Sequence, residues 1–158
     1  MYRFRLLQRI KLTTLIGTVA LVILIIILTV RALFFSPEKE ALQAVQDFYE
    51  FEMDGNFAES WEMFHPLMKE KFTKGHYIQD RAHVFLNHFA VETFTVNYGK
   101  PEYIKEWQMD NNAPVLHDVY KIPITMTFQG KYGNFVIHQD VYCHLEDYEW
   151  TILWSYEK

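Results

Sequence analysis

The sequence predicts an α+β protein: an N-terminal transmembrane helix, then a domain of three helices packed on a curved antiparallel sheet. Three observations lead to this fold class. Residues 12–30 form an uncharged apolar run, residues 37–88 place apolar side chains at a period near 3.6, and residues 93–156 alternate them at a period of two. Helices that precede a series of hairpins favour a layer of helices on one face of a sheet.

The apolar run is long enough to cross a bilayer. Its 19 residues, 12–30, carry no charge and would cover about 28 Å as a helix. Four basic residues precede the run, whereas Arg31 and Lys39 are the nearest that follow it. Because basic residues stay on the cytoplasmic side, the N-terminus should face the cytoplasm. We expect a cytoplasmic basic segment at 1–11, a transmembrane helix at 12–30, a linker at 31–37 and an extracytoplasmic domain at 38–158.

A cleaved signal peptide is the alternative interpretation of this run. Signal peptides have an apolar region of about 7 to 15 residues that ends in an A-x-A-like cleavage site. The run here is longer, and residues 31–36, Arg-Ala-Leu-Phe-Phe-Ser, offer no such site. We therefore expect an uncleaved single-pass anchor in the plasma membrane.

Charge is divided unevenly along the chain. All 20 acidic residues follow residue 31, together with ten Lys or Arg, so the outer domain carries an excess of about ten negative charges. Such a domain lacks the clustered basic side chains that neutralise phosphates, and we expect no nucleic-acid partner. The single cysteine, Cys143, excludes an internal disulfide. It lies in an apolar alternation and should be buried, with an intermolecular disulfide as the alternative.

The first half of the domain is predicted to be helical. The first helix, over 37–54, begins at a serine and a proline, residues typical of a helix start, and ends at a glycine. A second helix is predicted over 57–64, and a further helical turn over 66–72. The third helix follows a threonine cap and runs over about 74–88.

The second half is predicted to form strands joined by turns. Alternating apolar and polar residues mark five segments. The predicted strands are 93–98, 103–109, 115–129, 134–145 and 150–156. Strands as long as the third and fourth must bend to wrap around the helices, which favours a curved sheet.

The order of these elements resembles the nuclear transport factor 2-like superfamily. The resemblance is carried by Asp-Gly-Asn-Phe at 54–57, Ala-Glu-Ser-Trp at 58–61 and Trp-Thr-Ile-Leu-Trp at 150–154, and it covers about residues 38–156. Within the superfamily, the chain is similar to membrane-anchored members, such as the N-terminal non-catalytic domain of MecA-type penicillin-binding proteins. The resemblance implies a cone-shaped domain. Since the sequence has no transpeptidase region, we expect none of the transpeptidase chemistry.

The superfamily leaves function open. It includes ketosteroid isomerases and polyketide cyclases as well as many non-enzymatic binding modules, and fold alone does not decide between them. Type IV secretion assembly factors, which pair one membrane span with this fold, offer a second resemblance.

The histidines do not predict a metal centre. His83 and His88 are five residues apart, so they point about 140° away from each other on a helix. His138 and His144 share a strand face but are separated by about 20 Å. No Cys or His pair has zinc-type spacing, and we expect neither a metal nor another cofactor.

The predicted strand 134–145 has two contrasting faces. One carries His138, Asp140, Tyr142 and His144; the other carries Phe135, Ile137, Val141, Cys143 and Leu145. We interpret the first face as solvent-facing and the second as core. One alternative is an acid/base site in which Asp140, His138 or His83 lies at the base of an interior pocket, and another is a polar binding surface.

Aromatic residues make up 17% of the chain. Filling a cone between a bent sheet and helices requires large side chains, so core packing is the first interpretation. An aromatic pocket or docking face is the second. The residues expected to face a ligand or partner are Trp107, Tyr142, His144 and Trp154.

These observations favour a non-enzymatic, membrane-anchored binding or scaffolding module of a bacterial cell envelope. Its partner would be another envelope protein or a small ligand. The small residues Gly17 and Ala20 in the apolar run also suggest a homodimer. The alternatives are an isomerase- or cyclase-like enzyme with an acid/base inside the cone, and a subunit of a secretion or conjugation apparatus.

Overall fold

The computed structural model describes part of the N-terminal segment and most of the domain that follows it. The described residues are 17–27, 29, 36–83, 94–131 and 133–156. The chain divides into two compact units, residues 1–36 and residues 37–158.

In the first unit, residues 17–27 are helical. Large apolar side chains along this helix, from Val19 to Ile27, are about half exposed. Residues 12–16, 28 and 30 of the predicted span lie outside the described residues. Among the residues that are described, no helix is long and apolar enough to cross a membrane.

The second unit begins with four helices. These are α1 (Pro37–Met53), α2 (Phe57–Glu62), α3 (Pro66–Lys71) and α4 (Lys74–Ala82). Each one coincides with a predicted helical segment. The last part of the predicted third helix, residues 84–88, lies outside the described residues.

Five strands form one antiparallel sheet. They are β1 (Phe94–Tyr98), β2 (Glu102–Trp107), β3 (Leu116–Gly130), β4 (Gly133–Glu146) and β5 (Glu149–Trp154). The order is β1-β3-β4-β5, and β2 also pairs with β3. The strands β1 and β2 follow one another along a single edge of β3, which is long enough to hold both.

The outer edge of β5 is covered by the segment that joins α2 to α3. Phe64 forms an isolated parallel bridge with Ile152. The His65 N–H donates to the Ile152 carbonyl at 3.1 Å, and the Ile152 N–H donates to the Met63 carbonyl at 2.9 Å. These bonds satisfy groups that an open strand edge would expose, and they fix the position of His65.

Aromatic rings fill the described interior between the helices and the sheet. Phe48 of α1 lies 5.3 Å from Phe64 and 6.2 Å from Trp154, measured between ring centroids. Towards the other end of the sheet, Phe94 stacks on Phe128 at 4.8 Å. This packing confirms the predicted α+β class, with helices packed on an antiparallel sheet.

The predicted faces of β4 are wrong at three positions. Tyr142, expected to face solvent, is buried because the indole of Trp107 covers it. Ile137 and Leu145, expected in the core, are 38% and 46% exposed. Ile137 lies in a part of β4 that extends beyond its pairing with β5, and Leu145 lies beside the β4–β5 turn. Packing by neighbouring strands, rather than alternation alone, decides burial at these positions.

Candidate functional site

The three residues considered as an acid or base lie on the surface. His138 and Asp140 are exposed on β4, where they line a shallow hollow of about 260 Å³ against β3. The Thr125 hydroxyl lies 3.0 Å from His138 Nδ1, and Lys121 Nζ lies 4.0 Å from the Asp140 carboxylate. His83 is exposed at the end of α4, on a different layer from the other two.

Two of the aromatic residues expected to face a partner take part in internal packing. Tyr142 lies under Trp107 with ring centroids 4.2 Å apart. Trp154 is half-buried and contacts the rings of Phe48, Phe64, Phe72 and Tyr77. The apolar area of these side chains therefore stabilises the domain, and Trp107 presents only its outer surface.

A buried carboxylate links three of the helices. Glu52 of α1 is 2% exposed. It accepts hydrogen bonds from the Ser60 hydroxyl at 2.5 Å and the Tyr77 hydroxyl at 2.7 Å, and it forms an ion pair with Arg81. Burial, together with this carboxylate, raises the pKa of Tyr77 well above its ordinary value. Through these three partners Glu52 joins α1 to α2 and α4.

A second cluster joins His65, His144 and Glu146 at the end of the sheet. His144 and Glu146 are two residues apart on β4, so they share one face of the strand. His65 lies in the segment that pairs with β5 at Ile152. The neighbouring residue of β5, Thr151, lies opposite His144 of β4. Side chains from distant parts of the sequence therefore meet around one carboxylate.

The donor atoms of this cluster are close together. Glu146 Oε2 lies 3.2 Å from His144 Nδ1 and 3.5 Å from His65 Nε2, and the ligand atoms of all three residues lie within 4.8 Å of one another. Within the described part of the chain, His65 Nε2 and His144 Nδ1 face no polar partner other than this carboxylate. His65 is 4% exposed, so its Nε2 is shielded from solvent.

The chemistry of the cluster follows from burial and charge. Burial lowers the pKa of His65; the Glu146 carboxylate opposes this shift and His144 adds to it. Two imidazoles and one carboxylate form the donor set of several zinc and iron sites. These are the described residues that could hold a metal ion, although the spacing rules applied to the sequence predict none.

A groove of about 500 Å³ runs between α1, α2 and β5. Its floor is apolar and includes Ala44, Phe51, Met63 and Trp150. Five carboxylates also line it: Glu40, Asp47, Glu59, Glu62 and Glu149. The Trp150 indole N–H donates to Glu40 at 3.1 Å, which fixes the orientation of the largest ring in the floor.

Comparison with known proteins adds no family assignment. No protein-family model matches the chain, and no curated protein matches it. The resemblance to the nuclear transport factor 2-like superfamily therefore stays a prediction from the sequence.

Proposed function

We propose that the chain is a non-enzymatic, membrane-anchored binding module of a bacterial cell envelope. In this proposal its acidic groove holds a basic, partly apolar segment of another envelope protein. The observation that carries the proposal is the groove itself, with an apolar floor under a line of carboxylates. The aromatic packing of the described interior also favours a surface site over an interior catalytic one.

Charge and shape define the partner. Apolar side chains of a bound segment would cover Phe51, Met63 and Trp150, while Lys or Arg side chains would meet the carboxylates around them. Glu62 is already paired with Lys74 at 2.7 Å, and this hydrogen bond lowers the pKa of Glu62. The attraction for a basic partner therefore depends mainly on the other four carboxylates.

The anchor supports the same function. Residues 12–30 are uncharged, and the helix over 17–27 exposes apolar side chains rather than burying them. Such a helix is stable where lipid surrounds it. Confinement to one membrane raises the effective concentration of a partner in that membrane, so a shallow groove is sufficient for binding. Replacing 12–30 with a cleavable signal peptide should move the protein from the membrane fraction to the soluble envelope fraction.

The groove is tested with a fluorescent peptide that alternates Lys or Arg with Leu and Phe. Binding to the full chain in detergent is measured by fluorescence anisotropy at several salt concentrations. The variant Asp47→Lys with Glu59→Lys should weaken binding at least about tenfold, because it replaces attraction with repulsion. The matched control, Glu70→Lys with Asp80→Lys, changes the net charge equally at exposed helix positions outside the groove.

The two variants separate specific from general attraction. Equal loss of affinity in both would mean that net charge alone binds the peptide, and the groove would not be the site. The affinity of the chain for the peptide should also fall as the salt concentration rises, because salt screens exposed charges. An affinity that does not depend on salt would contradict the proposal.

A further inference from the structure

Two imidazole nitrogens, His144 Nδ1 and His65 Nε2, converge on one carboxylate oxygen, Glu146 Oε2, at the end of β4. From this geometry we infer that His65, His144 and Glu146 bind one divalent transition-metal ion of the zinc class. None of the three residues lines the proposed peptide groove, although the groove residue Glu149 lies opposite Glu146 in the β4–β5 ladder.

The separations between donor atoms fit such an ion. Zinc binds imidazole nitrogen and carboxylate oxygen at about 2.0–2.2 Å, so neighbouring ligands of a tetrahedral site lie about 3.3–3.5 Å apart. The two measured separations from Glu146 Oε2, 3.2 Å and 3.5 Å, are close to this value. An ion between the three atoms would bind both shielded nitrogens and the carboxylate oxygen that faces them.

Local charge favours a cation at this position. Glu146 lies directly opposite Glu149 in the β4–β5 ladder, and like charges in such a pair repel each other. A divalent ion would relieve that repulsion. The Glu146 side chain is 41% exposed, which leaves room for water as a fourth ligand, as in zinc sites with three protein ligands.

Metal binding would break one hydrogen bond of the protein, and the loss of that bond can be detected. His65 Nδ1 accepts a hydrogen bond from the Leu67 N–H at 3.2 Å and thereby caps α3. A neutral imidazole that binds metal through Nε2 carries its proton on Nδ1, so this bond must break. Zinc should therefore shift the Leu67 amide resonance and speed its hydrogen exchange.

The experiment uses the full chain in detergent, stripped with a chelator and titrated with Zn²⁺ by calorimetry. We expect one site with a dissociation constant on the order of 1 µM or tighter. Cobalt should give the visible absorption bands of a tetrahedral ion. His65→Asn keeps a side-chain acceptor for Leu67 but lacks the second nitrogen, and Glu146→Gln removes the negative ligand.

Each variant should weaken zinc binding at least about 100-fold, because even outer partners of metal ligands contribute 10- to 100-fold. The matched control is His138→Gln, an exposed histidine of the same strand, which should bind zinc normally. Far-UV circular dichroism checks that each variant is folded. If one variant unfolds, His144→Gln, which removes the third proposed ligand, is titrated with zinc in its place. Unchanged affinity in the folded variants, or no saturable binding up to about 100 µM, would overturn the inference.

Discussion

The indole of Trp107 lies on the ring of Tyr142, with centroids 4.2 Å apart and planes 21° apart. The contact crosses β3, because Trp107 ends β2 and Tyr142 lies on β4. Cys143, the next residue, contacts α1 through the Ala41 carbonyl, so Tyr142 points to the opposite face of the sheet. The pair therefore forms a small layer, with Tyr142 buried and Trp107 half-buried, on the face that turns away from α1.

The first prediction concerns this layer. Trp107→Ala should lower the free energy of unfolding by about 2 kcal/mol, through lost burial and lost ring stacking. Trp107→Phe should retain more than half of that stability. Urea unfolding of the full chain, followed by far-UV circular dichroism, measures the change. Tyr103→Ala on the same strand is the control: Tyr103 is 55% exposed, and an equal loss there would argue against a special role for the stack of Trp107 on Tyr142.

The second prediction concerns the ion pair of Glu52 and Arg81. Removing one partner leaves the other charge poorly solvated, so Glu52→Leu or Arg81→Met alone should cost about 3 kcal/mol of stability. Replacing both, as Glu52→Leu with Arg81→Met, should recover only part of this loss: no unpaired charge remains, but the buried hydroxyls of Ser60 and Tyr77 lose their acceptor. The unfolding free energies of the single and double variants form a double-mutant cycle.

Additive losses in that cycle would contradict the prediction, since they would mean that the two side chains act independently. The exposed pair of Glu62 and Lys74 provides the comparison. Solvent screens it, so Glu62→Ala should leave the unfolding free energy almost unchanged.

The elements were predictable because their signals are local. The first helix was predicted over 37–54 and lies at Pro37–Met53, and the longest strand was predicted over 115–129 and lies at Leu116–Gly130. Both follow from the period of apolar residues and from the serine, proline and glycine residues that punctuate the chain. Burial on β4 was harder to predict, because Trp107 covers Tyr142 from a strand that is not adjacent to β4.

The candidate sites depend on contacts that a single sequence does not display. His144 and Glu146 share a strand face, which is a local signal, but His65 joins them only because residues 63–65 pair with β5. The sequence does carry a local signal for the burial of Glu52. This residue lies at helical spacing after Val45, Phe48 and other core residues of α1, and a carboxylate at a core position requires partners.

The third prediction concerns Cys143, which is buried as the sequence predicted. Burial raises the pKa of its thiol well above the ordinary value. Because the thiolate is the reactive form, the native chain should resist alkylation by iodoacetamide at pH 8. Mass spectrometry should detect full labelling after unfolding in urea. Rapid labelling of the native protein would contradict the burial of this strand, and a free cysteine peptide provides the reference rate.

The last prediction concerns the two-residue turn between β4 and β5. Asp147 and Tyr148 both have positive φ, 48° and 69°, which is typical of a type I′ turn that favours glycine at its second position. An L-residue in this conformation costs about 1–2 kcal/mol. The Tyr148 side chain is 98% exposed, so it makes few contacts that offset the cost. Tyr148→Gly should therefore raise the free energy of unfolding by about 0.5–1 kcal/mol, whereas Tyr148→Ala, which keeps the Cβ atom, should bring no such gain. Urea unfolding of the three chains measures the difference, and a less stable glycine variant would mean that the tyrosine ring stabilises the turn through contacts of its own.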